Sequence, residues 1–301
     1  MKIQKKYSKN HTPLVSVIMP VYNAGEFLRD AIESIMAQSF TDFEFIIVDD
    51  ASTDYSWEII KWFRDQYPAK IKAIRLIKNR NNGGDACANV GFAVARGKFI
   101  ARMDADDIAH PKRLAKQVDY MQKHQDVILL GTQAFVIDRN GAITGEKLEP
   151  KTHKKISENY FIYHPMIHPS VMIRRSLLPK RNYLYNIKYN ANNDLLTFFE
   201  LLKYGKFANL GDKLLYYRIH GANDSLVDPK RKFANTFKIR MQAWRELGYK
   251  PTPVAVALTF IQLLISSTMP EKVITFLYMT WRGLSKPQSV LKAPRFATAY
   301  S

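Results

Sequence analysis

With 301 residues, the chain has room for one large α/β domain with an appendage or for two modest domains; its 47% hydrophobic and 24% charged composition excludes disorder as the default. A single cysteine, Cys87, excludes an intrachain disulfide framework and a cysteine-based metal cluster, and it fits a reducing cytoplasm. The net charge of +18 is uneven: from Pro229 to Ser301 twelve Lys or Arg face two acids, Glu246 and Glu271, a field that suits nucleic acid, an anionic membrane surface or a plainly solvated basic face.

Lys2, Lys5, Lys6 and Lys9 supply positive charge at the N-terminus, but no apolar run follows them, so no signal peptide is expected. The longest apolar candidate, Val254 to Ser267, has 14 residues. As a helix it would reach roughly 21 Å, short of a hydrocarbon core of roughly 30 Å. A soluble or peripheral protein is expected.

Along the first 130 residues, β-branched runs alternate with amphipathic stretches. Val15-Ser16-Val17-Ile18-Met19 predicts a buried strand ended by Pro20, and Phe27, Leu28, Ile32, Ile35 and Met36 then recur at helical spacing. Phe45-Ile46-Ile47-Val48 predicts a second strand, closed by Asp49-Asp50. Ser52-Thr53-Asp54 offers caps to a helix carrying Trp57, Ile60 and Phe63. A strand from Ile71 to Ile77, a helix from Asp85 to Ala95 and a strand from Phe99 to Met103 complete the series. This rhythm indicates βαβ units in a doubly wound, mainly parallel sheet, whose ligands bind beyond the carboxyl ends of the strands. Asn140-Gly141 predicts a hairpin after Phe135-Val136-Ile137, Leu195 to Tyr204 a helix, and Lys213 to Ile219 a strand. After Pro229 a basic helix is expected, then apolar helices around Val254–Ser267 and Val273–Trp281.

Two acidic clusters fall at predicted strand ends. Asp104-Ala105-Asp106-Asp107 crowds three carboxylates that repel one another unless a cation sits among them, and such oxygens suit Mg²⁺ or Mn²⁺. The plain alternative is a capped turn, with Asp106 or Asp107 starting the helix near Pro111. Of Asp49 and Asp50, one can cap the next helix while the other accepts hydrogen bonds from a base or ribose. Asn82-Gly83-Gly84 lets backbone approach a ligand closely, or simply turns. No G-x-G-x-x-G follows the first strand, and Gly97-Lys98 is followed by Phe99, so neither a dinucleotide fingerprint nor a P-loop is present.

Four segments in sequence, Ser16-Val17-Ile18-Met19-Pro20-Val21-Tyr22-Asn23, Ile47-Val48-Asp49-Asp50-Ala51-Ser52-Thr53-Asp54, Asn82-Gly83-Gly84 and Asp104-Ala105-Asp106-Asp107, resemble family 2 glycosyltransferases of the GT-A fold. The resemblance covers roughly residues 13 to 225. Ile167-His168-Pro169-Ser170-Val171-Met172 and Tyr217-Arg218-Ile219-His220-Gly221-Ala222-Asn223-Asp224-Ser225 resemble segments of bacterial capsule and lipopolysaccharide members. The resemblance implies a GT-A catalytic domain over 13–228, with a nucleotide-sugar-binding half over 13–107 and an acceptor-binding half over 108–228. A basic, apolar helical C-terminal extension follows over 229–301.

It also implies roles. Asp50 is similar to the carboxylate that contacts the uracil of a UDP-sugar, and Pro20 to Tyr22 to the wall of the base pocket. Asn23, Asn82, Gly83, Asp104 and Ala105 join the nucleotide-sugar site. Asp104 and Asp106 resemble the D-x-D pair, Asp106 being the more direct ligand of Mn²⁺ or Mg²⁺, and His220 resembles a histidine that completes the metal or diphosphate site. On its own, His220 would be a turn residue. Asp194 resembles the general base in Asn190-Ala191-Asn192-Asn193-Asp194, where Asn193 stands in place of the family's Glu. Its plain alternative is a helix N-cap.

The expected reaction is inverting transfer of a sugar from a nucleotide-sugar, a UDP-sugar by the resemblance, to a hydroxyl of a glycan or lipid-linked acceptor of the bacterial surface. The expected location is the cytoplasm, with peripheral contact to the inner face of the membrane through 229–301; packing on the catalytic domain or a homodimer contact are the alternatives for that region. A sugar-phosphate nucleotidyltransferase would need a Gly-rich loop where this chain has Pro20-Val21-Tyr22-Asn23. A nucleic-acid-binding protein would need interleaved basic and aromatic residues, of which Tyr183, Tyr185 and Tyr189 among Arg181 and Lys188 are the one hint. No nucleic-acid partner is expected.

Overall fold

The computed structural model describes residues 11–78, 83–221, 228–281 and Ala293; Asn82, the four N-terminal lysines, residues 222–225 of the His220 motif and most of 282–301 lie outside them. β1 (Val15–Val21) pairs in parallel with β2 (Phe43–Asp49) on one side and β4 (Phe99–Arg102) on the other, and β3 (Ile71–Arg75) flanks β2. The crossovers are α1 (Gly25–Met36), α2 (Ser56–Gln66) and α3 (Gly83–Val94). β1 and β2 are buried at every position, which explains their unbroken apolar runs. Val15, Val17, Met19 and Val21 pack with α1 on one face, while Ile18, Ile46 and Val48 pack with Cys87, Ala88 and Phe92 of α3 on the other. Gly91 permits that second contact, since a Cβ there would lie 2.7 Å from Ile18 Cγ2.

Pro20 does not end β1; the strand runs on to Val21, paired Pro20↔Val48 and Val21↔Asp49. The β1–β4 ladder stops at Ile18↔Arg102. Ile18 O accepts from the β4 side and Val21 O from the β2 side, so the Pro20 nitrogen faces the side where the ladder has already ended. The missing N–H therefore costs no sheet bond.

Beyond β4 the sheet becomes mixed. β5 (Ile108–Ala109), α4 (Arg113–Lys123), β6 (Val127–Ile137), β7 (Ile143–Lys147), α5 (His153–Asn159), β8 (Met172–Arg174), α6 (Asn193–Leu201) and β9 (Lys206–Arg218) follow. The order is β3-β2-β1-β4-β8-β6-β9-β5, with β7 hairpinned onto β6. β8 is antiparallel to both neighbours, β9 parallel to β6, and β5 antiparallel to β9. The hairpin at Asn140-Gly141 forms as expected: Gly141 sits at φ +83°, and Asp138 Oδ1 accepts from the amides of Asn140 and Ala142.

Three helices close the described chain: α7 (Pro229–Arg245), α8 (Pro253–Thr268) and α9 (Glu271–Trp281). Asp228 caps α7 by accepting from Arg231 N at 3.1 Å, and Thr252 caps α8 by accepting from Ala255 N at 3.2 Å, each followed by proline at the first helical position. α7 is tied to α6 by Asn192, whose Nδ2 donates to Lys232 O at 2.9 Å and Thr236 Oγ1 at 2.8 Å. Among the described residues no helix is long and apolar enough to cross a membrane.

Candidate active site

β1, β2 and β4 deliver their carboxyl ends to one edge of the sheet. At the end of β2 the two aspartates divide their work. Asp49 is fully buried and braces the turn: its Oδ2 lies 3.3 Å from Ser52 N and 3.3 Å from Arg75 Nε. Asp50, also buried, donates its amide to Val21 O at 2.8 Å. Tyr22 stands exposed at the end of β1. Asn23 adopts φ +48°, and its Oδ1 accepts from Thr53 N at 2.8 Å while its own N donates to Ser52 Oγ at 3.0 Å. Its side-chain oxygen thus holds the β1 and β2 loops together rather than pointing outward alone.

At the end of β4, Asp104, Asp106 and Asp107 can bring one carboxylate oxygen each to within 4.8 Å of one another. Asp107 is buried; its Oδ1 accepts from Arg218 N at 2.9 Å, and its Oδ2 has no hydrogen-bond partner among the described residues. Burial, then the Asp106 and Asp104 charges, push the Asp107 carboxyl well above the ordinary carboxylate range. An orphaned buried oxygen in a self-repelling, all-oxygen cluster is what a hard divalent cation would relieve, so the residues fit a metal. Asp106 Oδ2 lies 3.0 Å from His220 Nε2, and the His220 ring packs on Phe27 at 4.8 Å. Sequence distance of 114 residues is closed by β9, which ends on the acidic turn. Arg218 secures that contact: Nε donates to Asp106 O at 2.7 Å and Nη1 to Arg139 O at 3.0 Å, with the guanidinium 4.7 Å from the Phe27 ring centre. Neither Asp106 nor Asp107 starts a helix; β5 intervenes before α4, so the capped-turn alternative does not hold.

Arg102, at the end of β4, escaped the sequence reasoning. It is buried, with Nε and Nη2 both 2.9 Å from Asp104 Oδ1 and Nη1 3.2 Å from Gly84 O. Burial works against its charge, yet the Asp104 carboxylate beside it keeps it firmly protonated. A Cβ on Gly84 would lie 2.8 Å from Arg102 Nη2, so the glycine makes room for this cation. Behind it, the fully buried Arg113 donates from Nη2 to Arg102 O at 2.6 Å, and burial brings its pKa down to about 10.

Asp194 lies in the first turn of α6 and is not its N-cap; Asn192, at φ +62°, holds that position. Asp194 Oδ1 accepts from Leu195 N at 2.8 Å, while Oδ2 lies 3.4 Å from His164 Nε2 and 3.6 Å from His168 Nδ1. Burial raises the Asp194 carboxyl, but His164, the Leu195 amide and Arg102 outweigh it, so the group stays below its ordinary value. His168 also touches a second carboxylate: Nε2 is 3.8 Å from Asp85 Oδ1 and 2.8 Å from Tyr185 Oη. Burial drives its pKa down to about 3, against the pull of Asp194, leaving a neutral imidazole. Burial, Asp194 and Asp104, opposed by Arg102, raise Asp85 to about 8. Asp85 follows Gly83-Gly84 at the start of α3 and resembled an ordinary first-turn acid in the sequence. Gly83 sits at φ +68°.

Asn193, in place of the family's Glu, faces backbone: Oδ1 accepts from Tyr189 N at 2.9 Å and Nδ2 donates to Tyr189 O at 2.8 Å. Tyr185 is buried against His168 and Arg181 pairs with Glu200 at 2.6 Å, whereas Tyr183 and Lys188 are exposed.

Comparison with known proteins bears on the family and the fold. The family model for "Glycosyl transferase family 2" matches residues 16–181. The uncharacterized glycosyltransferase MJ1057 of Methanocaldococcus jannaschii is 39% identical over 237 residues, covering 77% of this chain and 80% of that protein. Among solved structures, S. aureus TarS 1-349 in complex with UDP matches at TM-score 0.61 and 21% identity, over 83% of this chain and 70% of that one. The mannosyltransferase PcManGT from Pyrobaculum calidifontis, in complex with GDP-Man and Mn2+, matches at TM-score 0.63 and 16% identity, over 91% and 77%. The fold is therefore the GT-A α/β fold with C-terminal helices. With the family model covering more than half of it, the chain belongs to the family 2 glycosyltransferases.

Proposed function

We propose that the protein transfers a sugar, with inversion, from a nucleotide-sugar to a hydroxyl of a glycan or lipid-linked acceptor used in surface polysaccharide synthesis. The observation that carries this reading is the meeting, around Arg102, of an acidic cluster and a separate ionised carboxylate, Asp194. UDP in the TarS complex and GDP-Man in the mannosyltransferase complex support a nucleotide-sugar donor; the resemblance of Asp50 to a uracil-contacting residue favours UDP. Pro20, Tyr22, Asn23, Asp50, Asn82, Gly83, Asp104 and Ala105 form the nucleotide-sugar site in this reading, within a catalytic domain over 13–228. Asp104, Asp106 and His220 would hold Mn²⁺ or Mg²⁺, with Asp107 as a buried support. Bound there, a divalent cation supplies positive charge opposite the departing diphosphate.

The remaining chemistry falls to the chain. Asp194 accepts the proton of the acceptor hydroxyl as that oxygen attacks the anomeric carbon, and the nucleoside diphosphate leaves from the opposite side. An ionised carboxylate is the correct starting state, and His164 and His168 orient it. Holding donor and acceptor in line lowers the barrier further. An α-linked donor thus yields a β-linked product. A thermal-shift panel of UDP- and GDP-sugars with Mn²⁺ and with Mg²⁺ tests the donor; Asp194→Asn should abolish transfer while leaving UDP affinity nearly intact. Wild-type turnover by that variant removes Asp194 as the base.

A further inference from the structure

α8 has its amphipathic sense reversed. Ala255, Thr259, Gln262 and Ser266, spaced four, three and four residues apart, form one helix face, and it is this small and polar face that packs inward. Thr259 Oγ1 donates to Phe161 O at 2.7 Å, Gln262 Nε2 donates to Ile162 O at 3.0 Å, and Arg240 Nη1 donates to Gln262 Oε1 at 2.7 Å. The outward surface is then Val254, Leu258, Phe260, Ile261 and Leu264, the last 64% exposed. α9 extends it with Val273, Leu277 and Phe276, which is 65% exposed. Large apolar side chains grouped this way mark an interaction surface.

The charges around this face select its occupant. α8 has no charged residue, whereas residues 229–281 carry eight Lys or Arg against Glu246 and Glu271. Phe237 packs on Phe260 at 5.4 Å between ring centres, and exposed Lys238 follows it in the chain; exposed Arg245 follows exposed Trp244 on the same helix. A second copy would bring like charge to like, each chain carrying +18. At about 1.5 Å per residue α8 is about 24 Å long, too short to cross a core of about 30 Å but suited to lying along it.

We infer that the α8–α9 face rests in the headgroup–acyl boundary of an anionic bilayer, with the exposed basic residues of α7, Lys238 and Arg245 among them, against lipid phosphates. This holds whatever sugar the protein transfers, and its test reads no transfer. The full chain is floated with vesicles of phosphatidylcholine alone or with phosphatidylglycerol added. Wild type should float with the anionic vesicles and largely remain behind with the neutral ones. Leu258→Asp/Ile261→Asp/Leu264→Asp should lose flotation at least tenfold while keeping the wild-type thermal shift with UDP. If that variant does not fold, Lys238→Gln should weaken flotation about fivefold, the effect of about 1 kcal/mol per basic residue near such a surface. Wild type that fails to float, or variants that float unchanged, would overturn the inference. So would a wild-type dimer by light scattering that the apolar-face variant turns into a monomer, since the face would then belong to a second copy.

Discussion

His168 stands between Asp85 and Asp194, with Nε2 3.8 Å from the one carboxylate and Nδ1 3.6 Å from the other. The two acids have opposite characters: Asp85 is raised to about 8 and holds a proton at neutral pH, while Asp194 is ionised. Environments that push neighbouring carboxyls apart are a common way to divide acid and base roles. His168→Ala should therefore lower kcat roughly tenfold, less than the about 10²–10⁴-fold of a general base itself, with KM for the donor little changed. Steady-state kinetics checks the split; a rise in donor KM alone would mean that the imidazole serves the nucleotide site.

Asp85 gives the ligand-free protein a definite pH dependence. Its folded pKa of about 8 exceeds the unfolded carboxylate value, so between about 4 and about 8 the folded state holds a proton the unfolded state has lost. Stability from this group is fully present below about 4 and is lost as pH rises through about 8. Asp85→Asn cannot titrate, and its Tm should fall less than that of wild type from pH 5 to pH 8. Parallel melting curves for the two proteins across that range would contradict the assignment.

Metal should stabilise the fold through the acidic turn. At 100 times Kd, a ligand of the folded state adds about 2.7 kcal/mol, which is a rise of several degrees in Tm. Mn²⁺ should produce that rise in wild type, EDTA should reverse it, and Asp106→Asn should lack it. An unchanged shift in Asp106→Asn would move the ion elsewhere.

Asn193→Glu tests whether the family's residue would serve here. The amide exchanges two hydrogen bonds with the Tyr189 backbone, and a carboxylate can accept one but cannot donate the other. Leaving the Tyr189 carbonyl unpaired should destabilise the protein by about 1–3 kcal/mol, measured by denaturant unfolding, without raising kcat.

Gly97→Ala should be costly although it lies before β4, at the opposite end of that strand from the acidic cluster. A Cβ at that position would stand 2.4 Å from Ser16 N, where β1 and β4 begin. Overpacking against backbone should lower stability by about 1–3 kcal/mol, readable as a drop in Tm.

How far the sequence could be followed depends on the range of the interaction. β1 and β2 were legible because each is a short apolar run, and burial on both faces produces such runs. The end of β1 was misplaced because the cost of Pro20 depends on which neighbour its nitrogen faces, a property of pairing. β9 was read only from Lys213 onward, since Gly211 and Asp212 interrupt its period where its register against β6 shifts. Three-residue β8 carries no pattern of its own, yet it joins the two halves of the sheet. In the site, Asp104, Asp106 and His220 were recognisable as motif positions. Asp85 and Arg102 were not, because a helix-start acid and a strand arginine look generic until the fold buries them together.

Arg218 has a consequence for how this site can drift. Its donors reach the main-chain oxygens of Asp106, Asp138 and Arg139, and its own amide reaches Asp107. Every residue has a carbonyl, so side chains at 138 and 139 can be exchanged without removing those acceptors. The guanidinium has no such redundancy. A mutational scan should therefore find position 139 permissive, position 138 limited by the hairpin that its own carboxylate braces, and Arg218 unforgiving.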